Sequence, residues 1–151
     1  MLELVFAICL AVFVSFFCSI AEAVLYSLPW SRIESLRAKD AHTADLLYAM
    51  RKDVEKPITA ILTLNTVAHT IGASLAGAAW AGVFGSETLT LFALVFTVVI
   101  LLFSEILPKT IGVTYSATLA PALVRPISWL IWVLFPVIKV CSFMSRLAGG
   151  G

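Results

Sequence analysis

The chain has 151 residues, of which 61% are hydrophobic and 13% are charged. A soluble domain of this size carries about 25% charged residues, so this composition indicates an integral membrane protein. A helix that crosses a bilayer needs about 20 apolar residues, and three or four such helices would use most of the chain. The composition therefore leaves no room for a soluble catalytic domain. The net charge of +1 argues against a nucleic-acid surface.

Three apolar segments are long enough to cross a membrane, at about 4–28, 57–83 and 89–107. Pro57 suits the first turn of the second span, where a helix needs no N–H donor. We expect the third span to end at Pro108, because proline lacks the N–H that continues a helix. The predicted fold class is an all-α integral membrane protein with three transmembrane helices.

Two further segments differ from the spans in character. Segment 31–53 mixes most of the charges with a thin apolar stripe, which predicts a juxtamembrane amphipathic helix at the membrane interface, and Ser31 with Glu34 fits a capping box. Segment 113–147 is apolar but is interrupted by three prolines and by charged residues. We expect a pair of short, broken, re-entrant helices there rather than a fourth crossing.

The basic residues are distributed unevenly between the loops. Six of the ten follow the first span, none follows the second, and four follow the third. The positive-inside rule therefore predicts an outside N-terminus and a cytoplasmic loop after the first span. Three crossings then place the C-terminus in the cytoplasm. The closing glycines at 149–151 resemble a linker or a truncation scar, and we expect that a soluble domain once followed them.

Polar groups on the first span form the first part of a candidate site. Ser15, Ser19 and Glu22 are spaced i, i+4 and i+7, so they lie on one helical face. A single serine in a membrane helix commonly bonds the carbonyl one turn back. Two hydroxyls and a carboxylate in register instead favour a site, because ionisable groups inside spans are functional candidates.

The second span adds an amide and an imidazole, since Asn65 and His69 lie one helical turn apart. Asn65 offers a carbonyl oxygen to a hard cation, or it can hydrogen-bond a neighbouring helix. We expect His69 to pack, because magnesium and sodium prefer oxygen to imidazole. A small-residue stripe at Ala68, Gly72 and Ala76 fits either a dimer interface or packing within one subunit.

The third span ends in a proline beside a carboxylate. Pro108 has no N–H, so the carbonyl of Ser104 loses its helical partner, and Glu105 lies next to it. Unwound backbone beside an intramembrane acid is typical of transporter cation sites. The alternative is a simple helix end, with Glu105 paired to Lys109 one turn later.

The three spans together contribute a set of oxygen ligands that contains a single carboxylate: Ser15, Ser19, Asn65, Glu105 and nearby backbone carbonyls. Such a set suits a hard cation such as Mg²⁺, with water completing the six ligands. The low ligand charge predicts binding weak enough for release, as transport requires.

Three stretches, in this order, resemble the membrane domain of the cyclin M and CorC magnesium transporters. SFFCSIAEAVLYSL at 15–28 looks like the family's S-x-F-F-S-x-S-E-x-A-L-x-S-L, although Ala21 stands where the family often has serine. LNTVAH at 64–69 is similar to L-x-N-T-x-x-N/H, and SEILPKT at 104–110 resembles S/G-E-I-x-P-K-x.

The resemblance implies a homodimer in the lipid bilayer of the plasma (inner) membrane, with Mg²⁺ export coupled to Na⁺ entry. Nucleotide-binding CBS-pair domains and a further C-terminal domain regulate the family and are absent from this chain. Carried over, the magnesium site falls on Ser15, Ser19, Asn65, Glu105 and, through its backbone, Gly112. Further residues of the three stretches are candidates for coupling or gating: Glu22, His69, Ser104, Pro108 and Lys109.

Two other functions compete with transport. A membrane scaffold that senses Mg²⁺ would need the same oxygens without moving the ion. An intramembrane serine hydrolase would use Ser19 as nucleophile and His69 as base, but Ser19 lies in mid-helix and no nucleophile turn surrounds it. We therefore expect a protein that is not an enzyme.

Overall fold

The computed structural model describes residues 2–148, and the regular structure within that range is helical. The closing glycines at 149–151, expected to form a linker, lie outside the described residues. The α-helices are α1 (Leu2–Ser27), α2 (Trp30–Arg37), α3 (Ala41–Lys52), α4 (Glu55–Phe84), α5 (Leu89–Val99), α6 (Leu107–Thr114), α7 (Ser116–Val133) and α8 (Phe135–Ala148). A 3₁₀ turn (Ser86–Thr88) precedes α5, and a π-helix (Ile100–Ile106) joins α5 to α6. The all-α prediction is confirmed.

Cross-helix contacts fix the directions of the long helices. Ser15 of α1 touches His69 of α4, while Ala11, one turn earlier, packs against Gly72, three residues later. The two helices are therefore antiparallel. On the other side, Ser15 reaches Ser104 and Glu22 of α1 reaches Lys109 of α6, so α1 runs parallel to the third apolar segment.

The third apolar segment does not end at Pro108 as expected. Helical structure runs without a break in the apolar stretch from Ser86 to Thr114, and Pro108 is buried in the first turn of α6. The wider π-helical turn before it, where the Leu107 N–H bonds to the Leu102 carbonyl five residues back, holds the extra residue that accommodates the ring. The expected unwound backbone is thus a π-helix.

The predicted juxtamembrane helix at 31–53 is two helices, α2 and α3, separated by a short turn. The proposed capping box is wrong, because Ser31 lies inside α2 and Pro29 precedes the helix without a side-chain cap. The cap belongs to α3, where the Asp40 carboxylate accepts from the Thr43 backbone N–H at 3.1 Å and from Thr43 Oγ1 at 2.6 Å. Both bonds stabilise the ionised carboxylate, the bond from the Thr43 hydroxyl more than the bond from the backbone N–H, and they hold the pKa of Asp40 below its ordinary value.

Helix α7 packs along one end of the α1–α4 pair. The first turns of α7 line one cavity together with Leu28 and residues of α2. Ile131, near the end of α7, lines a second cavity together with Pro57 at the start of α4. The end of α1 and the start of α4 lie at the same end of an antiparallel pair, so both ends of α7 lie beside α2 and α3. Four described segments are long and apolar enough to span a membrane, and Ser116–Val133 of α7 is one of them. The expected re-entrant path of 113–147 stays a prediction.

The small-residue stripe of α4 packs within the chain. Gly72 and Ala76 are buried, and a Cβ added to Gly72 would overlap Ala11 of α1. Close approach of the two backbones therefore depends on glycine at this position.

Replacing Gly72 with alanine should lower the free energy of unfolding by about 1–3 kcal/mol, since overpacking forces α1 away from α4. Gly82→Ala is the matched control, because nothing lies within 4 Å of a Cβ there and both variants gain the same helix propensity. Thermal unfolding in detergent measures the difference. Equal stability of the two variants would contradict the close α1–α4 packing.

The Asp40 cap should give the α2–α3 segment a pH-dependent stability. Because the folded-state pKa is lowered, the stabilisation is present above the ordinary aspartate pKa of about 3.9 and is lost as the pH falls through the folded value. Asp40→Ala should lower the melting temperature at pH 7, whereas Asp40→Asn, which still caps a helix, should not. A melting temperature unchanged by the alanine variant would show that the cap is dispensable.

Candidate cation site

The polar face predicted on α1 is turned toward the other helices. Ser15 and Ser19 are both fully buried, and the Glu22 side chain is only 19% exposed. Their common face follows from the i, i+4, i+7 spacing. The bundle therefore encloses these polar groups rather than presenting them to lipid.

Ser15 joins all three long helical segments. Its Oγ lies 2.6 Å from His69 Nε2 and donates to the Ser104 carbonyl at 3.5 Å. The two contacts are compatible when Nε2 carries the imidazole proton, because a hydroxyl donates once and can accept as well. The carbonyl that Pro108 was expected to free thus has a partner on α1.

The Ser104 hydroxyl makes a contact with α1 that the sequence did not predict. It donates to the Val12 carbonyl of α1 at 3.4 Å, and Ser104 is fully buried. A backbone carbonyl acceptor has no signature in the sequence, so only the packed structure identifies it. The contact holds the π-helical turn against α1.

Glu105 lies where α1, α4 and the π-helix meet. Asn65 Nδ2 donates to its Oε1 at 3.1 Å, Lys109 Nζ lies 3.3 Å from its Oε2, and His69 Nε2 is 3.8 Å from Oε1. The carboxylate is therefore held from two sides by N–H donors on different helices.

Lys109 binds a second carboxylate as well. Its Nζ lies 3.2 Å from Glu22 Oε2, so the ammonium bridges α1 and the π-helix. The Glu105–Lys109 pair, which the sequence offered as the alternative to a cation site, is present, and Glu22, which was only a candidate for coupling, is part of the same ionic cluster. The formal charge of Glu22, Lys109 and Glu105 is −1 + 1 − 1 = −1.

Two buried oxygens among the described residues have no hydrogen-bond partner: Ser19 Oγ and Asn65 Oδ1. The α1–α4 register, in which Ser15 meets His69, places Ser19 at the level of Asn65, because Ser19 lies one turn after Ser15 and Asn65 lies one turn before His69 on the antiparallel helix. Buried polar atoms are nearly always hydrogen-bonded. An unpartnered hydroxyl and an unpartnered amide oxygen thus lie at one level of the α1–α4 pair.

Gly112 lies at a close contact between α6 and α1. A Cβ there would lie 2.7 Å from Ala23 Cβ and 2.9 Å from the Ile20 carbonyl of α1, so only glycine lets α6 approach this closely. Its role as a backbone ligand stays a prediction. The close approach nevertheless brings Glu105 and Lys109 of the same helical segment up to the polar face of α1.

The donor set is rich in neutral oxygen. Among residues 2–148 no three His, Cys, Asp or Glu side chains group so as to hold a metal ion. A cation at the level of Ser19 and Asn65 would take hydroxyl and amide oxygen, with Glu105 as the nearby anionic group. Such ligands suit hard cations rather than zinc or copper.

Comparison with known proteins identifies the family of the chain. Residues 6–150 match the family described as the cyclin M transmembrane N-terminal domain. The chain is 32% identical over 146 residues to UPF0053 protein sll1254 of Synechocystis sp., covering 91% of this chain and 40% of that protein. It is 33% identical over 132 residues to the DUF21 domain-containing protein At1g55930, chloroplastic, of Arabidopsis thaliana, covering 87% of this chain and 20% of that protein.

The chain spans less than half the length of each of these relatives. The family match, in contrast, extends over nearly the whole chain and includes every residue of the polar cluster. The resemblance drawn from the three sequence stretches is confirmed, and the chain belongs to the cyclin M transmembrane N-terminal domain family.

Proposed function

We propose that this multi-pass membrane domain binds Mg²⁺ between its helices and carries it across the membrane. The observation that supports this most directly is the pair of buried, unpartnered oxygens, Ser19 Oγ and Asn65 Oδ1. Leaving such groups without a partner costs about 1–3 kcal/mol each. A bound cation would recover that free energy, because both oxygens then gain an electrostatic partner.

The chemistry of the site favours a hard ion that is released easily. Magnesium keeps several of its waters and is held by one or two carboxylates, and Glu105 is the carboxylate nearest to Asn65. Ser15 and the backbone at Gly112 complete the proposed ligand set through hydroxyl and carbonyl oxygen. A site with so few anionic ligands binds weakly, which permits passage rather than storage.

The cluster geometry also favours transport over hydrolysis. The hydrolase hypothesis needs Ser19 beside His69, but His69 contacts Ser15, and Ser19 Oγ has no hydrogen-bond partner among the described residues. Glu105 and Ser15 approach the same nitrogen, Nε2, whereas a catalytic triad needs the carboxylate on Nδ1. We therefore propose that the domain is not an enzyme.

The family resemblance supplies the rest of the proposal. The domain forms a homodimer in the plasma (inner) membrane, exports Mg²⁺ in exchange for entering Na⁺, and works under the control of cytoplasmic domains. Its N-terminus lies outside and its α2–α3 segment lies in the cytoplasm, in accord with the basic residues after the first span.

Asn65→Ala and Glu105→Ala should each weaken Mg²⁺ binding at least about tenfold, since each removes an oxygen that the ion needs. Mg²⁺-dependent thermal stabilisation and Mg²⁺ flux in liposomes measure binding and transport separately. Glu87→Ala, at an exposed position outside α4 and α5, is the control. Wild-type binding and flux in both site variants would show that the site is elsewhere. Binding without any flux in the wild type would favour the sensing scaffold.

Ser19→Ala separates a ligand from a structural hydroxyl. Because Ser19 Oγ has no hydrogen-bond partner among the described residues, removing it should leave the Mg²⁺-free protein as stable as the wild type or about 1 kcal/mol more stable. The same variant should lose much of its stabilisation by Mg²⁺. Ser128→Ala is the control, since that hydroxyl donates to the Val124 carbonyl of its own helix. Full Mg²⁺ stabilisation of Ser19→Ala would exclude the hydroxyl as a ligand.

A further inference from the structure

Lys109 occupies the anionic centre of the bundle with a positive charge that belongs to the chain. Its Nζ lies 3.2 Å from Glu22 Oε2 and 3.3 Å from Glu105 Oε2. These two acids come from α1 and from the π-helix, and the lysine lies in the first turn of α6. The positive charge at these two carboxylates is thus the Lys109 ammonium, which is a covalent part of the chain.

Glu105 has no free carboxylate oxygen in this arrangement. Oε1 accepts from the Asn65 amide, and Oε2 faces the Lys109 ammonium. A Mg²⁺ ion that coordinated either oxygen would come close to one of these N–H groups, whose hydrogens carry positive charge and repel the ion. Coordination of Mg²⁺ by Glu105 is therefore opposed by one of these nitrogens, and the ammonium is the group that a divalent ion repels more strongly.

The lysine side chain has room to withdraw, whereas the acids do not. The Lys109 side chain is 43% exposed, against 19% for Glu22 and 22% for Glu105. A long lysine side chain can move its charged end along the protein surface while its stem stays packed. Exchanging the ammonium for Mg²⁺ changes the formal charge of the cluster from −1 to −2 + 2 = 0, so the exchange leaves no net charge in the apolar bundle.

We propose that Lys109 is a tethered counter-ion that holds the place of the transported ion, so that Mg²⁺ binds at Glu105 only as the ammonium leaves. The proposal rests on the proposed magnesium site and adds its regulation. The lysine offsets part of the negative charge of two intramembrane carboxylates while the site is empty. It also lowers the apparent affinity by the fraction of molecules in which it is bound to the acids.

The test compares Mg²⁺ affinity and Mg²⁺-free stability in three variants of Lys109. Lys109→Met removes the charge, Lys109→Gln removes it but keeps hydrogen-bonding groups, and Lys109→Arg keeps it. Lys56→Met is the matched control, because Lys56 pairs with Asp53 on the exposed surface. Isothermal titration calorimetry with MgCl₂ on the purified protein in nanodiscs gives the affinity, and differential scanning fluorimetry gives the melting temperature.

Lys109→Met and Lys109→Gln should each bind Mg²⁺ at least about tenfold more tightly than the wild type, because the competing charge is gone. Both should also melt at lower temperature without Mg²⁺, since two carboxylates lose their partner. Lys109→Arg should stay within about threefold of the wild-type affinity, and Lys56→Met should change neither quantity. If Lys109→Met does not fold, Lys109→Gln alone carries the comparison.

A merely structural lysine gives a different result, with lower stability and unchanged or weaker Mg²⁺ binding in both neutral variants, and that result would overturn the proposal. A different result would show that the proposed magnesium site is wrong. If neither the wild type nor any variant binds Mg²⁺, both the magnesium site and the counter-ion role of Lys109 are wrong. If only the neutral variants bind Mg²⁺, the counter-ion role is supported and transport by the wild-type site is wrong.

Discussion

A carboxylate inside an apolar bundle must be neutralised by groups on neighbouring helices, and the arrangement of the long helices follows from this requirement at Glu105. Its partners are Asn65 of α4 and Lys109 of α6. Lys109 in turn holds Glu22 of α1. The polar contacts thus connect three helical segments at one depth, while the apolar residues above and below them need only fill space.

Two glycines let this polar layer form. Gly72 allows α4 to approach Ala11, and Gly112 allows α6 to approach Ile20, both on α1. With larger residues the helices would separate, and hydrogen bonds of about 3 Å between their side chains would break. The π-helix contributes in the same way, because its wider turn aims Glu105 and Ser104 inward while the segment remains helical. Close packing and chemistry are therefore coupled in this fold.

Periodicity predicted much of this arrangement from the sequence, because the helical period alone places Ser15, Ser19 and Glu22 on one face. The expected end of the third span at Pro108 was wrong, because the segment continues through a π-helix into α6. Whether a proline ends a helix or follows a π-turn depends on packing against α1. The division of the juxtamembrane segment was missed, although Asp40 with Thr43 three residues later is a capping signal. Contacts such as Ser104 with Val12, and the sharing of Lys109 by two acids, depend on tertiary register and have no local signature.

We propose that a cation binds between Ser19, Asn65 and Glu105. Anomalous diffraction from crystals soaked with Mn²⁺ is the decisive measurement, because Mn²⁺ accepts the same oxygen ligands as Mg²⁺ and can be located without ambiguity. We expect an anomalous peak within about 2.1–2.3 Å of Asn65 Oδ1 and a Glu105 oxygen, with the Lys109 ammonium moved away. Peaks confined to the acidic side chains of the α2–α3 segment, with Lys109 still between Glu22 and Glu105, would contradict it.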